Sequence, residues 1–384
     1  MPDWSRIHQE RRFSLWSLPL ALCSLLYDVG VRFRLKAYEK GIFKGKSLPG
    51  FVVSVGNITA GGTGKTPAVA MLARWALNEG HRVAILSKGY GGRYKQEVLE
   101  VSDGKRIYAD SQVAGDEPVL LARGVSGSPV IISKNRYMAG MYAFKKFGSV
   151  FFILDDGFQH LGLERNLNLV LIDASDPFGN AHLLPWGPLR EPLSQLDRAD
   201  ALILTRFSRV ESAERRAQGP KKNAIRHAPN AIRSPQETLA FLKEKFPSKP
   251  VFRADNILDK VIFPFSGEVH TPGFLRGKRV LAFAGIAHPE QFQESLIESG
   301  ADVAQFKGFR DHYPFDGDEI RELIRMKEKI GARYLITTEK DWMRIAPFAF
   351  TTAAPMHDDL AYLTVRFVFL PGQEGIFRII RNGL

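Results

Sequence analysis

A glycine-rich turn between an apolar run and a small-residue segment constrains this chain most. Residues 52–70 read VVSVGNITAGGTGKTPAVA. The run at 52–55 predicts a buried strand, the glycines predict a tight turn, and Gly64-Lys65-Thr66 predicts the start of a helix. The backbone N–H groups of such a turn, the positive helix end and a lysine together bind phosphate. We predict a nucleotide phosphate loop made of Thr59, Ala60, Gly61, Gly62, Thr63, Gly64, Lys65 and Thr66.

This loop departs from the strict glycine, four residues, Gly-Lys-Ser/Thr pattern, because Thr59 occupies the first glycine position. Lys65 is a candidate catalytic residue, since its charge would offset that of a transferring phosphoryl group. Thr66 has its hydroxyl where Mg²⁺ binds in such loops. A glycine-rich turn with a chance Gly-Lys-Thr is the alternative, but strand, loop, lysine and helix follow in the order that phosphate binding requires.

The charge balance indicates an anionic partner. The 384 residues include 53 Lys and Arg against 41 Asp and Glu, a formal net charge of +12. A nucleotide, a phosphorylated substrate or an anionic lipid would match this charge. No RNA-recognition or zinc-finger pattern occurs, so we predict no nucleic acid partner. The single Cys23 excludes an intrachain disulfide, which fits a reducing, cytosolic compartment.

Short apolar runs along the chain predict the fold class. Most are separated by helix-length segments, and continuous rather than alternating hydrophobicity predicts parallel strands buried on both faces. A charged segment at 208–250 precedes an expected strand pair at 252–269 and a second α/β unit from Arg279 on. We predict an α/β fold with a P-loop-type, mostly parallel sheet domain at 1–248 and a second, smaller α/β domain at 249–384. The runs that predict the first sheet lie at 83–86, 130–132, 150–154, 169–172 and 201–204.

An uncharged segment near the N-terminus, residues 13–27, reads FSLWSLPLALCSLLY. It is short for a membrane span, and Pro19 interrupts it. Basic residues flank it, so we predict a helix at about 13–36 that lies in the membrane interface. A core helix with basic ends is the alternative. The flanking cations are Arg11, Arg12, Arg32, Arg34 and Lys36.

Two aspartates end the apolar run at 150–154, and Gly-Phe-Gln-His follows them. Phosphate-loop proteins place a carboxylate near Mg²⁺ at such a strand end. A polar strand end that caps a helix is the alternative. We predict that the Mg²⁺ ligands come from Thr66, Asp155, Asp156 and Gln159.

Two further residues are weaker candidates from the residues alone. Asp116, in Gly-Asp-Glu-Pro, precedes a helix-starting proline and could be only a helix cap. His312, in Asp-His-Tyr-Pro-Phe, lies in a turn-like stretch, where a lone histidine is more often structural. Their spacing along the chain cannot pair them.

The ordered motifs between residues 56 and 341 resemble the tetraacyldisaccharide 4′-kinase family of lipid A biosynthesis. They are GNITAGGTGKTP, LSKGYGG, AGDEP, LDDGFQH, LLPWGPLREP, FRDHYPF and TTEKD. Lys88 stands where the family pattern would have arginine, which weakens any role for that side chain. The segment 208–250 matches no motif of the family.

The resemblance implies an ATP- and Mg²⁺-dependent kinase that phosphorylates the 4′-hydroxyl of a tetraacylated disaccharide 1-phosphate. It also implies that Asp116 works with His312, and it fits a peripheral protein on the cytoplasmic face of the bacterial inner membrane. Two alternatives stay open. One is a P-loop NTPase acting as a switch or metallochaperone without a lipid acceptor, and the other is a membrane-surface scaffold that binds nucleotide without chemistry.

Overall fold

A computed structural model describes residues 18–208, 234–349, 358–372 and 374–384. These residues form two compact units, each made of separate stretches of chain. The first unit holds the described residues up to 88, 135–256 and those from 367 on, and the second holds 89–134 and those in 257–366. This division differs from the consecutive domains predicted at 1–248 and 249–384. The chain leaves the first unit twice and returns twice, which composition along the sequence does not reveal.

The strands, in chain order, are β1 (Phe51–Asn57), β2 (Val83–Ser87), β3 (Leu99–Ser102), β4 (Val130–Ile132), β5 (Phe151–Asp155), β6 (Leu167–Asp173), β7 (Ala201–Thr205), β8 (Val251–Ile262), β9 (Val269–His270), β10 (Arg279–Ala284), β11 (Asp302–Gly308), β12 (Tyr334–Thr338) and β13 (Leu360–Phe369). The α-helices are α1 (Leu18–Glu39), α2 (Lys65–Asn78), α3 (Ser111–Ala114), α4 (Asp116–Gly124), α5 (Arg136–Phe147), α6 (Pro235–Lys245), α7 (Pro289–Glu298), α8 (Gly317–Lys329), α9 (Glu339–Ala349) and α10 (Gly375–Gly383).

The first unit is built on a parallel sheet in the order β8-β7-β6-β1-β5-β2. Every residue of β1, β2, β5 and β7 is buried, as the continuous apolar runs predict. Because the strands are parallel, their carboxyl ends lie at one edge of the sheet. Five of these strands end in polar residues, namely Asn57, Ser87, Asp155, Asp173 and Thr205. This edge carries the polar groups of the first unit's candidate site.

Two helices of the first unit pack together at the end of the chain. Phe377 of α10 stacks on Trp75 of α2, with ring centroids 5.2 Å apart. Arg381 of α10 pairs with Glu79, just after α2, at 2.8 Å. The sequence prediction did not include α10, whose short amphipathic pattern follows a turn at the chain end.

The second unit has a parallel sheet in the order β11-β10-β12-β13. Strands β8 and β9 form the expected pair, which is antiparallel. Strand β4, at the predicted run 130–132, is fully buried and pairs antiparallel with β3. A three-residue run that is fully buried carries no signal of strand direction. The sequence prediction also did not include β11, α8 and β13, although Asp316 and Glu319 form a capping box at the start of α8.

Helix α1 begins at Leu18 and ends at Glu39, so it extends beyond the predicted end at 36, and the predicted residues 13–17 lie outside the described ones. Pro19 lies within the described part of this helix. The charged segment 208–250 contributes α6 within its described part, and residues 209–233 lie outside it.

Candidate active site

The predicted phosphate loop connects β1 to α2. Gly56 lies against the turn after β5, and a Cβ there would be 2.6 Å from the Cβ of Phe158. Gly64 has a φ of +85° and would place a Cβ 2.5 Å from the side-chain nitrogen of Asn256. The positive φ favours glycine at this position, and α2 begins at the next residue, Lys65. The first N–H groups of α2 therefore follow the glycine loop directly, as phosphate binding requires.

One side of the loop is held by the segment that contains the GPLREP motif. The Ala60 N–H donates to the Pro188 carbonyl at 2.7 Å, and the Arg190 N–H donates to the Ile58 carbonyl at 2.8 Å. Between these contacts, Thr59 forms an isolated antiparallel bridge with Leu189. The nonstandard Thr59 is therefore part of a two-stranded contact that holds the loop in place.

The other side of the loop is held from the end of β7. The Thr205 hydroxyl donates to the Thr63 carbonyl at 3.1 Å, and Arg206 Nη2 donates to the Gly62 carbonyl at 2.6 Å. Arg206 also pairs with Asp173, at the end of β6. Carbonyl oxygens in the loop thus have donors fixed by neighbouring strands, which keeps the loop in one conformation.

Lys65 lies beside the second aspartate of the LDDGFQH motif. Its ammonium is 3.5 Å from Asp156 Oδ1, and its side chain is 10% exposed. Arg190 holds the same carboxylate more closely, with Nη1 at 3.0 Å and 2.8 Å from the two oxygens. Burial favours the neutral acid, but the charges of Lys65 and Arg190 outweigh it and lower the pKa of Asp156 to about 2. Asp156 is therefore an ionised carboxylate between two cations.

The other predicted metal ligands surround the same strand end. Asp155 is 1% exposed, and its Oδ2 accepts from the Ser87 hydroxyl at 2.9 Å. The side-chain amide of Gln159 donates to the Asn57 carbonyl at 2.9 Å. Carboxylate, amide and hydroxyl oxygens are the donors that Mg²⁺ prefers, so these residues and Thr66 fit that ion. Among the described residues, no three His, Cys, Asp or Glu side chains form a metal-binding group on their own.

Asp116 lies at the start of α4 in the second unit. The residue before it, Gly115, has a φ of +89°, and a Cβ there would be 2.4 Å from the Tyr90 carbonyl oxygen. The GDEP motif thus needs its glycine for a left-handed backbone under close contact. Asp116 does not act as the N-cap, since Gly115 occupies that position.

Asp116 has two nitrogen partners, and both reach the same oxygen. His312 Nδ1 is 3.2 Å and Arg344 Nε is 2.6 Å from Asp116 Oδ2. Burial raises the pKa of Asp116. The hydrogen bond from His312 and the charge and hydrogen bond of Arg344 together lower this pKa by more than burial raises it, so the net shift is downward. The two residues that the sequence could not pair are in contact, and Asp116 is ionised at neutral pH.

The structure gathers the predicted residues into two groups. Lys65, Thr66 and the residues around the ends of β1 and β5 belong to the first unit, whereas Asp116 and His312 belong to the second. Sequence reasoning missed Arg190 and Arg344. Arg190 is inside the GPLREP motif, and Arg344 follows Asp341 of TTEKD by three residues, one helical turn, so the motifs did mark their neighbourhood.

Comparisons with known proteins agree on one family. The family model described as tetraacyldisaccharide-1-phosphate 4′-kinase matches residues 16–383. The chain is 42% identical to a tetraacyldisaccharide 4′-kinase of Geobacter metallireducens, over 85% of this chain and 88% of that protein. It is 40% identical to one of Syntrophus aciditrophicus, over 87% and 86% respectively. The crystal structure of LpxK from Aquifex aeolicus in complex with ATP matches with a TM-score of 0.69 and 31% identity, over 96% of this chain and 98% of that one.

Proposed function

This chain belongs to the tetraacyldisaccharide 4′-kinase family, and we propose which of its residues carry out each part of that family's reaction. It is an ATP-dependent phosphotransferase of lipid A biosynthesis. The γ-phosphate of ATP passes to the 4′-hydroxyl of a tetraacyldisaccharide 1-phosphate. The observation that carries our assignment of roles is the contact of His312 and Arg344 with one oxygen of Asp116.

We assign the phosphates of ATP to residues 59–66. Lys65 supports this assignment because its charge is balanced only loosely, by Asp156 at 3.5 Å. Asp156 keeps Arg190 as a closer partner, so Lys65 can turn to a phosphate without leaving the Asp156 carboxylate unpaired. In the transition state, Lys65 offsets the negative charge that spreads over the transferring group and the leaving oxygen.

We assign the acceptor hydroxyl to Asp116. A sugar hydroxyl is a poor nucleophile, and a carboxylate base placed on it contributes about 10²–10⁴-fold to the rate. The 4′-oxygen forms a bond to the γ-phosphorus as its proton passes to Asp116, the bond from that phosphorus to the β–γ bridging oxygen breaks, and ADP leaves. His312 orients the carboxylate through Oδ2.

Mg²⁺ would be held by oxygen atoms from Thr66, Asp155, Asp156 and Gln159. The ion, when bound, supplies positive charge to the β- and γ-phosphate oxygens. The residues themselves contribute two fixed carboxylates and a hydroxyl near the start of α2.

We further propose that α1 brings the enzyme to its lipid substrate as a peripheral protein on the cytoplasmic face of the membrane. Among the described residues, no helix combines the length and hydropathy that a membrane crossing needs. One stripe of α1 nevertheless exposes apolar side chains at helical spacing, and Leu22 and Leu26 are 61% and 67% exposed. A helix with such a stripe and flanking cations lies in the interface plane. The stripe consists of Leu18, Leu22, Leu25, Leu26, Val29 and Phe33.

The experiment is to incubate the purified full chain with γ-labelled ATP, Mg²⁺ and the disaccharide lipid in mixed micelles. We expect label in a lipid product with a phosphate at the 4′ position. The matched control uses a lipid whose 4′-hydroxyl is blocked. A nucleotide switch or a metallochaperone would release labelled phosphate with either lipid. A scaffold would neither release labelled phosphate nor label the lipid. Either outcome would overturn the proposal.

A further inference from the structure

Arg344 uses its whole guanidinium in the second unit. Nε donates to Asp116 Oδ2 at 2.6 Å, and Nη2 is 3.1 Å from His312 Nδ1. Nη1 donates to Asp341 Oδ1 and to the Gly285 carbonyl, both at 2.8 Å. The side chain is 8% exposed. This planar, multidentate arrangement suits arginine and is one that the single nitrogen of lysine cannot reproduce.

The far end of this arrangement is rigid. Asp341 is fully buried, and its Oδ2 accepts from the Gly285 N–H at 3.0 Å and the Thr338 hydroxyl at 2.7 Å. The TTEKD motif therefore supplies a buried carboxylate with fixed donors, which holds Arg344 from one side. The same Gly285 carbonyl also accepts from the His312 N–H at 3.2 Å. One short segment thus fixes both partners of Asp116.

His312 Nδ1 cannot form hydrogen bonds with Arg344 Nη2 and with Asp116 Oδ2 at the same time. Arg344 can only donate, so its contact requires the lone pair of Nδ1, whereas a bond from Nδ1 to Asp116 requires a proton there. In either tautomer, Asp116 Oδ2 keeps the bond from Arg344 Nε. Within the part of the chain that the structure describes, no hydrogen bond to Asp116 Oδ1 occurs.

We propose that Arg344 is a positioning residue for the acceptor site: anchored by Asp341, it holds Asp116 by Oδ2 and presents Oδ1 to the acceptor hydroxyl. This inference rests on the proposed function, because it takes Asp116 as the base. Arg344 acts through Asp116 and does not touch the substrate. His312 bonds to Oδ2 only in the tautomer that carries a proton on Nδ1. It therefore supports the orientation of Asp116 but cannot replace Arg344 in holding Oδ2.

The charges around Asp116 give the proposal a pH signature. Besides Arg344 and His312, the charged groups of this cluster are Asp341, which pairs with Arg344 at 2.8 Å, the Lys340–Glu117 pair, with a separation of 3.1 Å, and Asp311, 3.9 Å from His312 Nε2. Arg344 is the closest fixed cation, and it lowers the pKa of Asp116. Without it that pKa rises, so the acidic limb of the rate profile must move to higher pH.

The test compares Arg344→Met and Arg344→Lys in the full chain, with Arg366→Met as the matched control. Arg366 is an exposed arginine of the same unit that pairs with Asp259. We expect Arg344→Met to lower kcat by about 10²-fold, the scale of a misplaced reacting group. The KM for ATP stays within about twofold, because Arg344 does not bind nucleotide in this scheme. The acidic limb of kcat/KM moves up by about one pH unit.

Two variants keep the test independent of folding. Arg344→Lys keeps a cation but cannot span all partners, so we expect a partial kcat with a smaller pH shift. Arg344→Ala should regain activity when guanidinium ion is added, and sodium at equal ionic strength should not restore it. Thermal unfolding of each variant reports any loss of structure. Recovery with guanidinium would not occur if the residue only stabilised the fold.

The outcomes separate this inference from the proposed function. If Asp116→Ala retains full activity, the assignment of the base is wrong, and the role of Arg344 falls with it. If Asp116→Ala is inactive but Arg344→Met keeps the parent kcat and acidic limb, only the role of Arg344 is wrong. A change confined to the KM for ATP would also overturn it.

Discussion

His312 Nδ1 lies 3.2 Å from Asp116 Oδ2, although the two residues are 196 positions apart in the chain. Both belong to the second unit, because residues 89–134 fold with the described residues of 257–366. His312 has a φ of +55°, a left-handed conformation that a non-glycine residue seldom adopts. Such a conformation persists where the surrounding structure requires it, as at sites that position a side chain for function.

The Asp116–His312 contact predicts non-additive mutants. We expect Asp116→Ala and His312→Asn each to lower kcat by about 10²–10⁴-fold, the usual contribution of a positioned base. Asparagine is chosen because it tolerates the left-handed backbone at 312. The double mutant should lose little more than the worse single mutant, since groups that act as a unit are not additive. Label transfer to the lipid measures all three, and defects that multiply in the double mutant would show that the residues act separately.

Lys65 predicts a loss of turnover without a loss of fold. Lys65→Ala should lower kcat by about 10²-fold or more, because the charge acts on the transition state. Lys307→Ala is the matched control, since Lys307 is a more exposed lysine that pairs with Glu322. Thermal unfolding should be similar for both variants. Near-normal transfer by Lys65→Ala would contradict the assignment of the loop at 59–66.

Asp156 predicts a pH-dependent stability. Its pKa is lowered to about 2 in the folded chain, so its ion pairs stabilise the fold above about pH 4, the ordinary value of the unfolded chain. This contribution is lost as the pH falls from about 4 toward 2. Asp156→Asn removes the charge and keeps a residue type that accepts the φ of +52°. In urea unfolding, the variant should be less stable than the parent at pH 7, and the gap should narrow near pH 2.

Asp302→Asn is the control for that measurement, because Asp302 forms an exposed ion pair with Arg279. Exposed pairs contribute about 0–1 kcal/mol, so this variant should resemble the parent at both pH values. An equal gap for Asp156→Asn at pH 7 and pH 2 would mean that its effect is not one of charge.

Helix α1 predicts release from membranes by detergent more readily than by salt. Burial of a large apolar side chain is worth about 1.5–3 kcal/mol, and a cation near anionic lipid about 1 kcal/mol, weakening with salt. Leu18→Glu with Leu22→Glu should lower vesicle binding and activity on bilayer substrate. Nucleotide binding should not change. The control places glutamate at Val269 and Ile297, which are 54% and 55% exposed in the second unit.

Vesicle flotation measures the binding, with the mixed-micelle assay as a check that the chemistry is intact. If the α1 variant floats with anionic vesicles as tightly as the parent, the stripe does not hold the enzyme at the membrane. If the control variant detaches equally, the loss reflects added negative charge rather than the apolar face of α1.

Local patterns determined much of this protein. The run at 52–55 with its glycine loop predicted a strand, a turn and a helix, and β1 and α2 confirm them, because strand burial and glycine turns depend on neighbouring residues. The motifs identified the family, which the comparisons confirm. The roles of Lys65, Thr66, Asp155, Asp156 and Gln159 stay predictions, although the last three lie together at the end of β5.

Only the tertiary structure decided what meets across the chain. It paired β4 with β3, assigned residues 89–134 to the unit that contains His312, and brought Arg344 to Asp116. The physical reason is that hydrophobic periodicity reports burial of each segment but not its neighbour. The contact between Asp116 and Arg344 depends on strand order and on Gly285, whose backbone fixes Asp341. Neither of these two causes leaves a local pattern in the sequence.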